Sequence, residues 1–199
     1  MFMRKVLKTV VTLCLAVSSF ALHAQEETQE HMKFKQTEIK GHQAAFFSEL
    51  KSKGFTFINP EQTQMTGVFA GQNVTVTLDK TCVSETIYQV RAKLKARTAW
   101  NDVESDYTVF KSNLSVKYGK PAVSVEKFDH PYRKGDGYEI KAANNNKMEY
   151  MSCWVLPEGQ ITIQVVTSGK DLSLQIRYTD GQGADLQEAE KTEQFLTDL

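Results

Sequence analysis

Arg91, Lys93, Lys95 and Arg97 alternate with Val90, Ala92, Leu94 and Ala96. In an extended strand this two-residue period puts the cations on one face and the apolar side chains on the other. Like charges in a row form a surface that attracts an acidic protein or a sulfated glycan. A solvated sheet face whose lysines block edge-to-edge pairing explains the same residues. A second group lies between Asp129 and Gly137, in the segment DHPYRKGDG. Asp129, His130 and Asp136 are acid and base types that a hydrolase would use. They could also hold a divalent cation, although the spacing matches no calcium loop. A solvated turn accounts for a segment so rich in turn formers. Tyr132, Arg133 and Tyr138, in and beside this loop, offer rigid rings and a cation for contact with a protein or glycan. Tyr150 and Trp154 share one strand face: exposed, they would join such a binding patch; buried, they are core beneath the second helix, which is the expectation for Trp154.

Other chemistry is thinly represented. The chain has no HExxH, GxSxG, CxxC, Walker or dinucleotide-binding signature. His31, His42 and His130 are too scattered to suggest a metal site or a triad. No catalytic residue, metal or cofactor is therefore assigned. Cys82 and Cys153 form a possible disulfide in an oxidising compartment, but their positions in sequence do not establish proximity.

The N-terminus is a targeting segment. Arg4, Lys5 and Lys8 precede an apolar run from Val6 to Ala21, and Ala24 is followed by polar Gln25-Glu26-Glu27. These features describe a bacterial-type secretory signal over residues 1–24, cleaved after Ala24. The apolar run is short for a membrane span, and nothing later in the chain reaches that length. The whole chain balances 24 basic against 24 acidic residues; losing Arg4, Lys5 and Lys8 leaves a net charge of −3. That balance does not favour nucleic acid or an anionic membrane as a partner. A hydrophobic content of 41% and a charged content of 24% fit a globular body.

The elements that must position these residues follow from periodicity and turn signals. Val103, Tyr107, Phe110, Leu114 and Tyr118 recur at helical spacing, with Asn101 and Glu104 placed as a capping box and Gly119-Lys120-Pro121 as the stop. An earlier helix over His42–Lys53 carries Phe46, Phe47 and Leu50 and stops at Gly54, with no good cap at its start. Phe34–Ile39 and Phe55–Ile58 suggest short strands, and Met65–Leu78 a hairpin. Strands are also expected over 122–128, 138–143, 147–156, 161–165 and 172–178, and a last helix capped by Asp185. Each half echoes the other: Phe46, Leu50 and Gly54 answer Phe110, Leu114 and Gly119; Gly71-Gln72 answers Gly159-Gln160; Gln89-Val90-Arg91 answers Gln175-Ile176-Arg177. The expected organisation is a flexible leader over residues 25–33, α/β repeats over 34–98 and 99–183, and a C-terminal helix over 184–199. The fold class is α+β: two tandem α-β-meander repeats, antiparallel sheet with a helix packed on one face of each, plus the C-terminal helix.

Several motifs carry a resemblance. The helix end Lys51-Ser52-Lys53-Gly54-Phe55, the segment Gly67 to Val76 (GVFAGQNVTV), Lys117 to Pro121 (KYGKP), Asp136 to Glu139 (DGYE) and Arg177 to Asp180 (RYTD) resemble small exported proteins of Bacteroidetes. The tandem helix-plus-sheet plan resembles the architecture of the β-lactamase inhibitor protein. The resemblance implies a periplasmic or secreted protein and carries no catalytic residue. The expectation is a non-enzymatic binding module for a protein or glycan of the cell envelope, using Arg91, Lys93, Lys95, Arg97, Tyr132, Arg133 and Tyr138. The alternatives are a hydrolase-like enzyme using Asp129, His130 or Asp136, and a structural envelope protein.

Overall fold

The structure, a computed structural model, describes residues 30–199. The expected signal segment and most of the expected leader lie outside the described residues. Strands β1 (Lys33–Phe34) and β2 (Thr37–Glu38) form a small hairpin. Then come α1 (Gln43–Ser52), β3 (Thr56–Phe57), β4 (Gln64–Phe69), β5 (Gln72–Lys80) and β6 (Ile87–Leu94). The second half comprises α2 (Trp100–Tyr118), β7 (Val123–Phe128), α3 (Glu139–Asn144), β8 (Met148–Leu156), β9 (Gly159–Ser168), β10 (Asp171–Asp180) and α4 (Gly181–Thr197). The fold is α+β.

One antiparallel sheet carries the body, with strand order β3-β4-β5-β6-β10-β9-β8-β7. Each half is thus a helix followed by a four-stranded meander, and the last strands of the two halves, β6 and β10, meet at the centre. There Arg91 lies directly opposite Arg177, Gln89 opposite Thr179 and Lys93 opposite Gln175. The echoing tripeptides Gln89-Val90-Arg91 and Gln175-Ile176-Arg177 are consequently related by an approximate two-fold through the arginine pair.

Alternation along the strands separates two faces. Met65, Val76, Ala92, Ile176 and Ile163 pair across five successive strands and are fully buried. Helices α1 and α2 cover this face through Phe46, Phe47 and Leu50 and through Val103, Tyr107 and Phe110. The buried Tyr107 hydroxyl pairs with Ser152 at 2.7 Å, and Trp154 Nε1 donates to Gly119 O at 2.9 Å. These polar links fix α2 against β8, and Trp154 is core, as expected, with Tyr150 buried on the same face.

Several boundaries depart from the sequence reading. Helix α2 begins at Trp100 behind Ala99, so Asn101 sits inside the first turn and no side chain caps it. The strand expected over 138–143 is α3, whose Ala142 and Ala143 tuck into the core. Lys35 and Gln36 adopt positive φ, so the expected strand over Phe34–Ile39 is folded into the β1–β2 hairpin. Met32 is buried and its N–H donates to Asp180 at 2.7 Å, so the end of the expected flexible leader is tied down. The turn between β4 and β5 is Ala70-Gly71, both at positive φ as a tight hairpin requires.

Helix α4 is capped by Asp180 rather than Asp185: the Asp180 carboxylate accepts from Gly183 N at 2.8 Å. It crosses one end of the second sheet face, where Gly183 abuts Tyr88 and Ala184 lies beside Val155, Gln160 and Thr179. Further along, Glu190 accepts from the backbone N–H of Val83 at 2.6 Å and of Ser84 at 3.2 Å. Hydrogen bonding from the Ser84 side chain, joined by those backbone N–H groups, holds its carboxyl below the ordinary value of 4.5 against the opposing effect of burial. A carboxylate with a lowered folded pKa contributes stability above its unfolded pKa and loses it as pH falls through the folded value. Glu190→Gln is therefore expected to melt earlier than the native protein near neutral pH, with the gap closing as pH drops below the ordinary carboxylate range. Melting curves of both proteins across that range check this; a gap independent of pH contradicts it.

Candidate functional site

The expected cation row does not survive as a row. Lys95 and Arg97 lie beyond the end of β6. Arg97 turns toward α2, where its guanidinium binds Asp106 through Nε at 2.9 Å. That pairing, led by hydrogen bonding to Asp106, raises the Arg97 pKa further. Arg91 and Lys93 remain on the second sheet face, Arg91 paired with Asp79 and Lys93 donating to Ser168 Oγ at 3.1 Å. Two positions cannot make the row: helix contact reclaims Arg97, and the strand stops before Lys95.

The loop residues lie elsewhere. Lys134 pairs with Glu104 of α2 at 2.5 Å, which fixes the 129–137 loop to the helix-covered side. Tyr132 accepts from Asn145 Nδ2 at 2.7 Å, while Arg133 and Tyr138 are exposed. The expected seven-residue binding set is therefore divided between the two sides of the sheet. Asp136 accepts from the backbone N–H of Arg133 and of Tyr138, each at 2.8 Å, which is the work of a turn-forming aspartate. Asp129 pairs with Lys127 at 3.5 Å. These carboxylates stabilise the loop and its edge strand and do not converge on His130.

The possible disulfide is also corrected: Cys82 and Cys153 are free thiols. Three strands, β6, β10 and β9, separate β5 from β8. At about 4.8 Å per strand step β5 and β8 lie about 19 Å apart; Cys82 sits in the turn between β5 and β6 and Cys153 on β8, so the two are held beyond the roughly 7 Å Cα limit.

Sequence reasoning missed the centre of the second face. Arg177 stands opposite Arg91 with its guanidinium donating to Gln164 at 3.2 Å. The repeated Gln-x-Arg was the available signal. Around the arginines lie Gln89, Lys93 and Gln175, with Asp79 as the neighbouring acid. Toward β7 the same face becomes apolar, with Val123, Val125, Met151 and Val155; Val123 and Val155 are 46% and 69% exposed. Outside the end crossed by α4, no described helix covers this face. It is a basic centre with an apolar flank.

A second cavity missed at sequence level opens on the helix side. It encloses about 870 Å³ between the β1–β2 hairpin, α2 and the β4–β5 turn. Phe69, Phe110 and Tyr178 form its floor, with Leu114 and Tyr118 from α2 on one wall. Rings lock the floor together: Phe69 lies 6.3 Å from Phe110 and 6.1 Å from Tyr178. The cavity wall at His31 is held by Asp180, whose Oδ2 is 3.1 Å from His31 Nδ1. No local pattern could announce it, because its walls come from segments distant in sequence. No family model, curated protein or solved structure matches the chain, so its sites are read from its own residues.

Proposed function

We propose that the chain is an exported, non-enzymatic binding module whose open sheet face receives an acidic surface of a cell-envelope protein. The observation that carries this reading is the Arg91–Arg177 pair. Like charges directly opposite each other on antiparallel strands disfavour the fold. Both halves nevertheless place an arginine there, at the centre of a face that no described helix covers away from α4. Asp79 offsets the charge of Arg91, and an incoming carboxylate cluster would do the same for Arg177, while Val123, Val125, Met151 and Val155 supply apolar contact at one side. A protein suits the face better than a glycan. Sugar sites use exposed aromatic rings, whereas Tyr150 and Trp154 are buried beneath the helices and Tyr132 and Tyr138 are attached to the other side.

Arg177→Glu provides a test that separates fold from binding. The new carboxylate faces Arg91, which Asp79 already pairs, and gives up the Arg177–Gln164 hydrogen bond, so stability is expected to stay within about 0.5 kcal/mol of native. The same change removes the basic centre. Immobilised native protein is expected to retain envelope proteins that elute with salt, and Arg177→Glu combined with Lys93→Glu is expected to lose them. Tyr132→Ala with Tyr138→Ala, on the opposite side, is expected to keep them. Quantitative mass spectrometry of the retained proteins decides; an unchanged set on the charge-reversed face refutes the reading.

A further inference from the structure

The cleft beside α2 has no part in the sheet-face reading, and its chemistry is of another kind. Its floor is aromatic, and burial pushes the Tyr178 hydroxyl well above its ordinary pKa, so it stays a neutral group within an apolar setting. The wall contributed by α2 runs from Ser105 to Tyr118. At about 1.5 Å per residue this wall is about 20 Å long, which suits an elongated ligand. The enclosed volume falls within the span of roughly 300–1,000 Å³ typical of small-molecule sites.

The rim is polar and biased to one sign. Asp106 is neutralised by Arg97 and Glu30 by Lys33. Lys35 and Lys117 enter no ion pair among the described residues: Lys35 Nζ donates to Val68 O at 3.0 Å, and Lys117 Nζ sits 4.7 Å from the centre of the Tyr118 ring. Glu158 is the remaining acid on the lining. Two cations above an aromatic trough complement a ligand with one anionic end and a long apolar body.

We infer that this cleft is a binding site for a monomeric long-chain carboxylate, with the hydrocarbon chain along α2 over Phe69, Phe110 and Tyr178 and the carboxylate held by Lys35 and Lys117. Charge-assisted hydrogen bonds from lysine orient the head group, and burial of the chain supplies the attraction. The site and the sheet face lie on opposite sides of the sheet and can be tested separately.

Hexadecanoate below its micelle concentration is the probe, with hexadecanol as its neutral counterpart, in calorimetric titrations of the mature protein. Hexadecanoate is expected to bind at one site, and hexadecanol about tenfold more weakly, because it lacks the charge that meets the lysines. Lys35→Gln with Lys117→Gln should weaken hexadecanoate by about tenfold and remove the preference over the alcohol. Val109, 53% exposed on the α2 wall, can become glutamate without loss of core, and Val109→Glu should reduce binding further by placing a like charge along the chain. Circular dichroism melts confirm that each variant is folded. Absence of hexadecanoate binding to the native protein overturns the assignment, as does binding that none of these substitutions changes.

Discussion

Replacing Gly159 by alanine is expected to lower the melting temperature by about 10 °C, the equivalent of about 3 kcal/mol or more in a domain of this size. Gly159 opens β9 at φ +146, a region that side chains avoid. A Cβ there would stand 2.1 Å from Thr179 O and 2.9 Å from Gly181 N. Both are backbone atoms at the junction where β10 becomes α4, so no side chain can swing aside to make room. Gly181 N also donates to Glu158 O at 2.9 Å, closing the corner from the other side. Relief requires the β8–β9 turn to move away from the start of α4. Gly135→Ala is the appropriate control: it has φ +81 in the 129–137 loop but nothing within 4 Å of the added carbon. That variant carries only the left-handed backbone cost of about 1–2 kcal/mol. Thermal melts of the two variants therefore separate collision from conformational preference, and a Gly159→Ala protein no less stable than Gly135→Ala would contradict the account.

The sequence patterns were most informative where a single element determines its own face. The spacing of Val103, Tyr107 and Phe110 located the buried stripe of α2, and strand alternation separated Val90, Ala92 and Leu94 from Arg91 and Lys93. The Gln-x-Arg echo contained more than a repeat: once β6 and β10 are neighbours, it brings two arginines face to face. Local patterns failed where distant partners decide. Tyr138, Ile140 and Ala142 alternate as a strand would, yet the segment closes a helical turn because Ala142 and Ala143 both reach the core. Arg97 fits the cation row by spacing, but Asp106 draws it to the other face. The loop at 129–137 displays the right residue types for recognition, and Lys134–Glu104 places it away from the arginines. The cleft is wholly a product of tertiary packing: a lysine from the β1–β2 hairpin, another from α2 and a phenylalanine from β4 share no sequence window.

Asp180→Ala is the second substitution expected to have a large effect, with a loss of about 2–4 kcal/mol measured by urea denaturation. Asp180 is 1% exposed and joins three parts of the molecule. Its carboxylate accepts from Gly183 N at 2.8 Å to start α4, from Met32 N at 2.7 Å to hold the chain entering β1, and lies 3.1 Å from His31 Nδ1. Removing a capping aspartate costs about 1 kcal/mol. Leaving the buried Met32 N–H without an acceptor costs about 1–3 kcal/mol more. Release of Met32 should loosen the segment that walls the cleft, so its amide is expected to exchange with deuterium faster in the variant while amides of Ile161 and Ile163 in β9 remain protected. Asp180→Asn, which keeps one carbonyl acceptor, should lose less than alanine does. Asp185→Ala should stay within about 0.5 kcal/mol of native, since Asp185 is exposed and does not cap α4. Equal losses at the two aspartates would mean that the α4 start is held by something other than the Asp180 carboxylate. An unchanged Met32 exchange rate in Asp180→Ala would separate the cap from the cleft wall and remove the link between this corner and ligand access.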